Sequence, residues 1–102
     1  VKVVWSESSE FDLDDLYDYI AKDSPIYAEQ FVDRILEEVG KVALSPRIGR
    51  IVPETQRDDI RERMLQSQRI IYMIDDVNEV ISVLALIHVR RNIDGTEYLP
   101  TS

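Results

Sequence analysis

Apolar residues change their spacing twice along this chain, and the changes divide it into three stretches. "VKVVW" (1–5) is a β-rich run of the length of one strand. After it, apolar positions recur every three or four residues, the period of a helix with one buried side. Leu13, Leu16, Tyr17, Ile20 and Ala21 form one such stripe, while Asp12, Asp14, Asp15 and Asp18 mostly fall off it. Ser8 or Ser9 is the expected N-cap, with Glu10 and Asp12 suiting the positive end of the helix. "KDSP" breaks the stripe and starts a second helix, since Ser24 can cap and Pro25 needs no amide hydrogen at the first helical position. Its apolar side is Ala28, Phe31, Val32, Ile35, Leu36, Val39 and Val42, and it should stop near "LSPRIG". Two such helices joined by so few residues make an antiparallel hairpin.

The third stretch reads as strands. "IRERMLQ" (60–66), "RIIYMID" (69–75) and "EVISVLALIHV" (79–89) are separated by short breaks, which predicts an antiparallel meander. The last run is apolar at almost every position, so it belongs in the middle of the sheet with both faces covered. The expected fold is therefore α+β in the order β-α-α-β-β-β, a small antiparallel sheet packed against a two-helix hairpin. At 102 residues the chain is expected to be one domain, 1–102, with a short unstructured or weakly helical tail from about residue 92.

Charge alters this picture by its placement. The formal net charge is −8, but residues 1–46 hold eleven acids against four bases. Residues 47–91 hold eight arginines, no lysine and seven acids. Such asymmetry between halves points to a partner. There is no cysteine, which excludes disulfides and thiolate metal sites. No signal-peptide pattern and no membrane-length apolar run is present, so a cytoplasmic protein is expected.

Strand alternation places Arg61, Arg63, Arg69, the only histidine, His88, and Arg90 on one sheet face, with Glu54 reaching it from the preceding loop. Arginine forks match phosphate oxygens, and a glutamate with a histidine can move the protons of a metal-free attack by a ribose 2′-hydroxyl. The same patch can also bind nucleic acid or an acidic peptide without catalysis. A solvated strand face with cross-strand pairs is the plainest alternative. "DLDDLYD" has spaced carboxylates but lacks the glycine turn and final glutamate of a calcium loop.

The order "W-S … DL … YI … DSP … A … F … I", then "GR-I-VPE … IRE … RIIY-I … V-LALIH-VRR", resembles the RelE/ParE superfamily of type II toxin–antitoxin toxins over about residues 3–91. The resemblance implies a growth-arresting toxin held by a cognate antitoxin, with no cofactor and no metal. It implies one of two targets: mRNA cut on the ribosome, or DNA gyrase. For the ribonuclease branch, Glu54, Arg69 and His88 match the catalytic positions, and Arg61, Arg63 and Arg90 match positions that grip RNA. That branch also uses lysines on the first meander strand, and none stands there in this chain. Ribosome-dependent mRNA cleavage is the leading expectation. Gyrase inhibition, or a non-catalytic remnant that only binds an antitoxin, are the alternatives.

Overall fold

The computed structural model describes residues 1–89, so Arg90, Arg91 and the tail lie outside the described residues. Strand β1 (Lys2–Trp5) leads into helices α1 (Glu7–Ala21) and α2 (Pro25–Leu44). A 3₁₀ turn (Pro46–Ile48) follows, then strands β2 (Arg50–Ile51), β3 (Ile60–Leu65), β4 (Gln68–Asp75) and β5 (Val80–His88). The sheet order is β1-β5-β4-β3-β2. The meander is antiparallel, but β1 joins it parallel to β5, so the sheet is mixed and has five strands. The two-residue β2 is too short to leave a trace in the hydrophobic pattern.

The α2 boundary follows the sequence. Ser24 Oγ accepts from the Tyr27 amide at 3.1 Å, and Pro25 occupies the first turn. Helix α1 starts earlier than expected, because Ser6 caps it instead of Ser8 or Ser9. Ser6 Oγ accepts from the Ser9 amide at 3.0 Å, and the buried Ser9 hydroxyl donates back to the Ser6 carbonyl at 2.9 Å.

The core fills both faces of the sheet. Toward the helices, Phe31, Ile35 and Val39 pack on Ile70, Val83 and Leu86, with Leu13, Leu16 and Ile20 of α1 closing one side. Each such buried side chain contributes about 1.5–3 kcal/mol. On the far face, Val52 from the loop after β2 packs on Ile60, Ile71, Ala85 and Ile87. Strand β5 serves both faces through a bulge: Ile71 pairs with Ala85, but Tyr72 pairs with Val83, leaving Leu84 over. Leu84 therefore joins the far face, out of step with Leu86.

Beyond Val83, β5 has no β1 residue beside it, and side chains stand in for the missing strand. Ser6 Oγ donates to the Leu84 carbonyl at 3.1 Å, and Asp12 Oδ2 accepts from the Leu86 amide at 3.0 Å. Backbone groups on an open strand must find partners, and here α1 provides them. At the other end, the buried Tyr72 hydroxyl donates to the Pro46 carbonyl at 2.6 Å and accepts from the Gly49 amide at 3.0 Å. Burial, the largest influence on this phenol, holds its pKa above the ordinary value. Gly49 is required there, since a Cβ would lie 2.5 Å from both the Glu62 carbonyl and the Tyr72 hydroxyl.

Candidate functional site

Arg69, the second residue of β4, pairs with Met64 on one side and Ile87 on the other, and so faces away from the helices. Its side chain is only 8% exposed. Nε donates to Glu62 Oε1 at 2.7 Å, while the two terminal nitrogens donate to the two oxygens of Glu54 at 2.9 Å each. Glu62 is wholly buried on β3, and its second oxygen accepts from Arg50 Nε of β2. The four groups alternate in sign, Arg50–Glu62–Arg69–Glu54, and sum to zero. Hydrogen bonding to Glu54, the largest influence, raises the Arg69 pKa, while burial opposes it and Glu62 adds to the rise. Both recognition edges of the guanidinium thus already hold carboxylates, the groups a phosphate would have to displace. A hollow of about 300 Å³ beside them is lined by Arg50, Pro53, Glu54, Met64, Arg69 and Val89.

Of the other predicted residues, Arg61, Arg63 and His88 stand on the opposite face. Arg61 pairs with Tyr72 and Arg63 with Ile70, both on the helix side. Arg61 donates to the Asp58 carbonyl at 2.8 Å, to Asp58 Oδ1 at 2.7 Å and to the Gly49 carbonyl at 3.0 Å. Arg63 reaches Glu38 of α2, with Nε 2.9 Å from Oε2. His88 is exposed and pairs with Gln68, two places beyond the Ile70–Leu86 pair and on the same face. The single patch expected from alternation therefore does not form. Glu54 and Arg69 sit together on the far face, whereas Arg61, Arg63 and His88 are on the helix face. Pairing Arg69 with Met64 rather than with an odd-numbered residue of β3 makes the difference, because a one-residue step exchanges faces. Arg90 lies outside the described residues.

Glu62, Glu38 and Arg50 were not among the residues predicted. Glu62 left a signal: it shares strand parity with Ile60 and Met64, so its carboxylate had to point where they do. A second region lies at the His88 end of β5. There α1, α2 and the β3–β4 turn enclose a cavity of about 490 Å³. Leu16, Ile20, Phe31 and Leu86 line it with apolar surface, and Asp12, Asp15 and Tyr19 come from α1. Among the described residues no three histidine or acidic side chains converge as metal ligands. No described helix is long and apolar enough to cross a membrane.

A two-helix hairpin laid on a five-stranded mixed sheet, with β1 at the edge beside β5, is the α+β architecture of the small RelE/ParE superfamily toxins. A family model, the ParE toxin of the type II toxin–antitoxin system parDE, matches residues 3–93, and the chain belongs to that family. Among solved structures, the chromosomal ParDE toxin–antitoxin system from P. aeruginosa superposes with a TM-score of 0.70 at 22% identity, covering 87% of this chain and 96% of that one. The RelBE2 toxin–antitoxin complex from Mycobacterium tuberculosis gives 0.60 at 20% identity, over 85% and 88% of the two chains. No curated protein matches the sequence.

Proposed function

We propose that this chain is a ParE-type toxin that arrests growth by acting on DNA gyrase, held in check by a co-encoded antitoxin, and that it is not a ribosome-dependent ribonuclease. The observation that carries this reading is the state of Arg69. On the roles the resemblance implies, a nuclease would use that guanidinium for the phosphate, with Glu54 and His88 on either side of the same ribose. Here Glu54 and Glu62 hold the guanidinium, and His88 stands across the sheet. Arg61 and Arg63 are likewise engaged by acids of the chain. Among the described residues a ribonucleic acid would meet arginines already paired with carboxylates, on a protein of net charge −8. The antitoxin partner is supported by both solved relatives, which are toxin–antitoxin systems.

The test is induction of the chain alone, followed by gyrase supercoiling assays and mapping of mRNA 5′ ends. The expected result is growth arrest with lost supercoiling and no new mRNA ends. New ends that disappear in His88→Ala, with gyrase unaffected, would overturn the reading in favour of the nuclease.

A further inference from the structure

We propose that the hollow on the far face of β2 and β3 is a binding site for a small monocarboxylate with a short apolar stem, received by Arg50. The proposal goes beyond the choice of target and stands whether or not gyrase is the one acted on.

Arg50 differs from the other described arginines of residues 47–69 in what its terminal nitrogens hold. Arg47, Arg57, Arg61, Arg63 and Arg69 each place at least one terminal nitrogen on an oxygen of the chain. Arg50 engages only Nε, on Glu62, and its side chain is 66% exposed. Its terminal edge therefore meets no acceptor among the described residues. That edge is nonetheless held in place. Glu62, wholly buried, accepts from Arg50 with one oxygen and from Arg69 with the other, which fixes the two guanidinium groups side by side. Donors positioned before a ligand arrives lose little freedom when it binds.

The chain itself displays the chemistry that fits. Arg69 sets Nε on Glu62 and grips both oxygens of Glu54 with its terminal nitrogens, at 2.9 Å each. Arg50 repeats the first half of that arrangement and lacks the second. A carboxylate on its terminal edge would extend the alternation Glu54–Arg69–Glu62–Arg50 by one anion, in the planar geometry a guanidinium fork prefers. Size, walls and charge narrow the ligand further. The hollow, about 300 Å³, is at the small end for ligand sites. Pro53, Met64 and Val89 give it apolar walls, and Met64 is 46% exposed, so a stem of a few carbons has surface to cover. The four charged groups sum to zero and Glu54 lines the same hollow, which favours one negative charge over the two of a phosphate.

The probe is benzoate, titrated into the full chain and followed by backbone amide resonances, beside benzamide as its neutral counterpart and inorganic phosphate. Benzoate should shift the amides of Arg50, Glu54, Met64 and Arg69 with a dissociation constant on the order of 1 mM. Benzamide should leave them in place, and phosphate should bind more weakly than benzoate. Arg50→Gln should weaken benzoate about tenfold. Arg50→Lys, which keeps the charge without the fork, should fall between the two. Met64→Ser, at a half-exposed position, should weaken it about threefold with the fold unchanged. Arg57→Gln, outside the hollow, should bind as the parent does. Should Arg50→Gln fail to fold without its bond to Glu62, Arg50→Lys and Met64→Ser carry the test. No shift with benzoate, an equal response to benzamide, tighter binding of phosphate, or an equal loss in Arg57→Gln would each overturn the proposal. So would undiminished binding in the Arg50 and Met64 variants.

Discussion

Arg47, Arg50, Arg57, Arg61, Arg63 and Arg69 each meet a carboxylate of this same chain, so the sheet and its loops neutralise themselves. On α1, five acids at repulsive spacings have no such counterpart among the described residues. The arginine-rich half looks like the reactive surface in a linear reading, yet the charge of its six described arginines goes into holding β2, β3 and the connecting loops in place. The acidic half looks like an ordinary wet helix, and among the described residues five of its acids meet no cation of the chain. Which charges are already satisfied says more about partners than which charges are numerous.

The largest effect should come from breaking the sheet network. Arg69→Ala leaves Glu62 with no exposed surface and one cation fewer, and removal of one member of a buried pair costs about 3–5 kcal/mol. Urea denaturation should show a loss of that size. Toxicity should fall in proportion to the folded fraction. A nuclease would instead lose activity while keeping its stability. Arg69→Ala with native stability would end the comparison, because the arginine would then not be structural.

Gly49→Ala tests the same region through the backbone. A methyl group 2.5 Å from the Glu62 carbonyl and the Tyr72 hydroxyl must push β3 or the 3₁₀ turn aside. Overpacking of that kind costs about 1–3 kcal/mol. Thermal melting of the variant should report it, with the Tyr72 link from Pro46 to Gly49 loosened.

Much of this fold was legible because the helices and strands differ in period and because Ser24–Pro25 has a single reading. The start of α1 was not, since "SESS" offers three serines with the same capping chemistry and only tertiary position selects Ser6. Register was the larger loss. In 60–66 the alternation is partial, and a slip of one residue moves Arg69 from beside Arg61 and Arg63 to the opposite face. The bulge at Leu84 was hidden for a related reason: β5 is apolar on both faces, so a change of parity leaves no mark. Glu54 was expected to reach the face of Arg69 and does so, though its two-pronged grip on the guanidinium depends on how a loop folds back, which strand periodicity cannot encode. Leu16, Ile20 and the acids of α1 were visible in the sequence, but nothing in the helix alone says that α2, β5 and the β3–β4 turn complete a cavity beside them.

A third measurement separates the two regions by pH. Burial would raise the Glu38 pKa, but hydrogen bonds from Arg63 and Lys41 outweigh it and leave the carboxyl below its ordinary 4.5. Asp76 is depressed too, chiefly by its hydrogen bond to Arg47. A depressed carboxyl contributes stability that is complete above the unfolded value and is lost as pH falls through the folded one. Stability should therefore drop below about pH 4.5. Glu38→Gln should cost about 1 kcal/mol at neutral pH and flatten that acid slope. An unchanged slope would mean that the Arg63–Glu38 link does not contribute.

The smallest effect should have the opposite sign and come from α1. Asp14 is exposed, lies outside the cavity beside α1, and stands four residues from both Glu10 and Asp18. Asp14→Lys turns two repulsive pairs into attractive ones and replaces a poor helix former with a better one, for a gain of about 0.7 kcal/mol. In a domain of this size that raises the melting temperature by about 3–5 °C. A loss in stability would show that α1's acids are satisfied within the chain after all, and the contrast between helix and sheet would vanish. A gain of that size would show that the repulsion among Glu10, Asp14 and Asp18 acts on the folded chain.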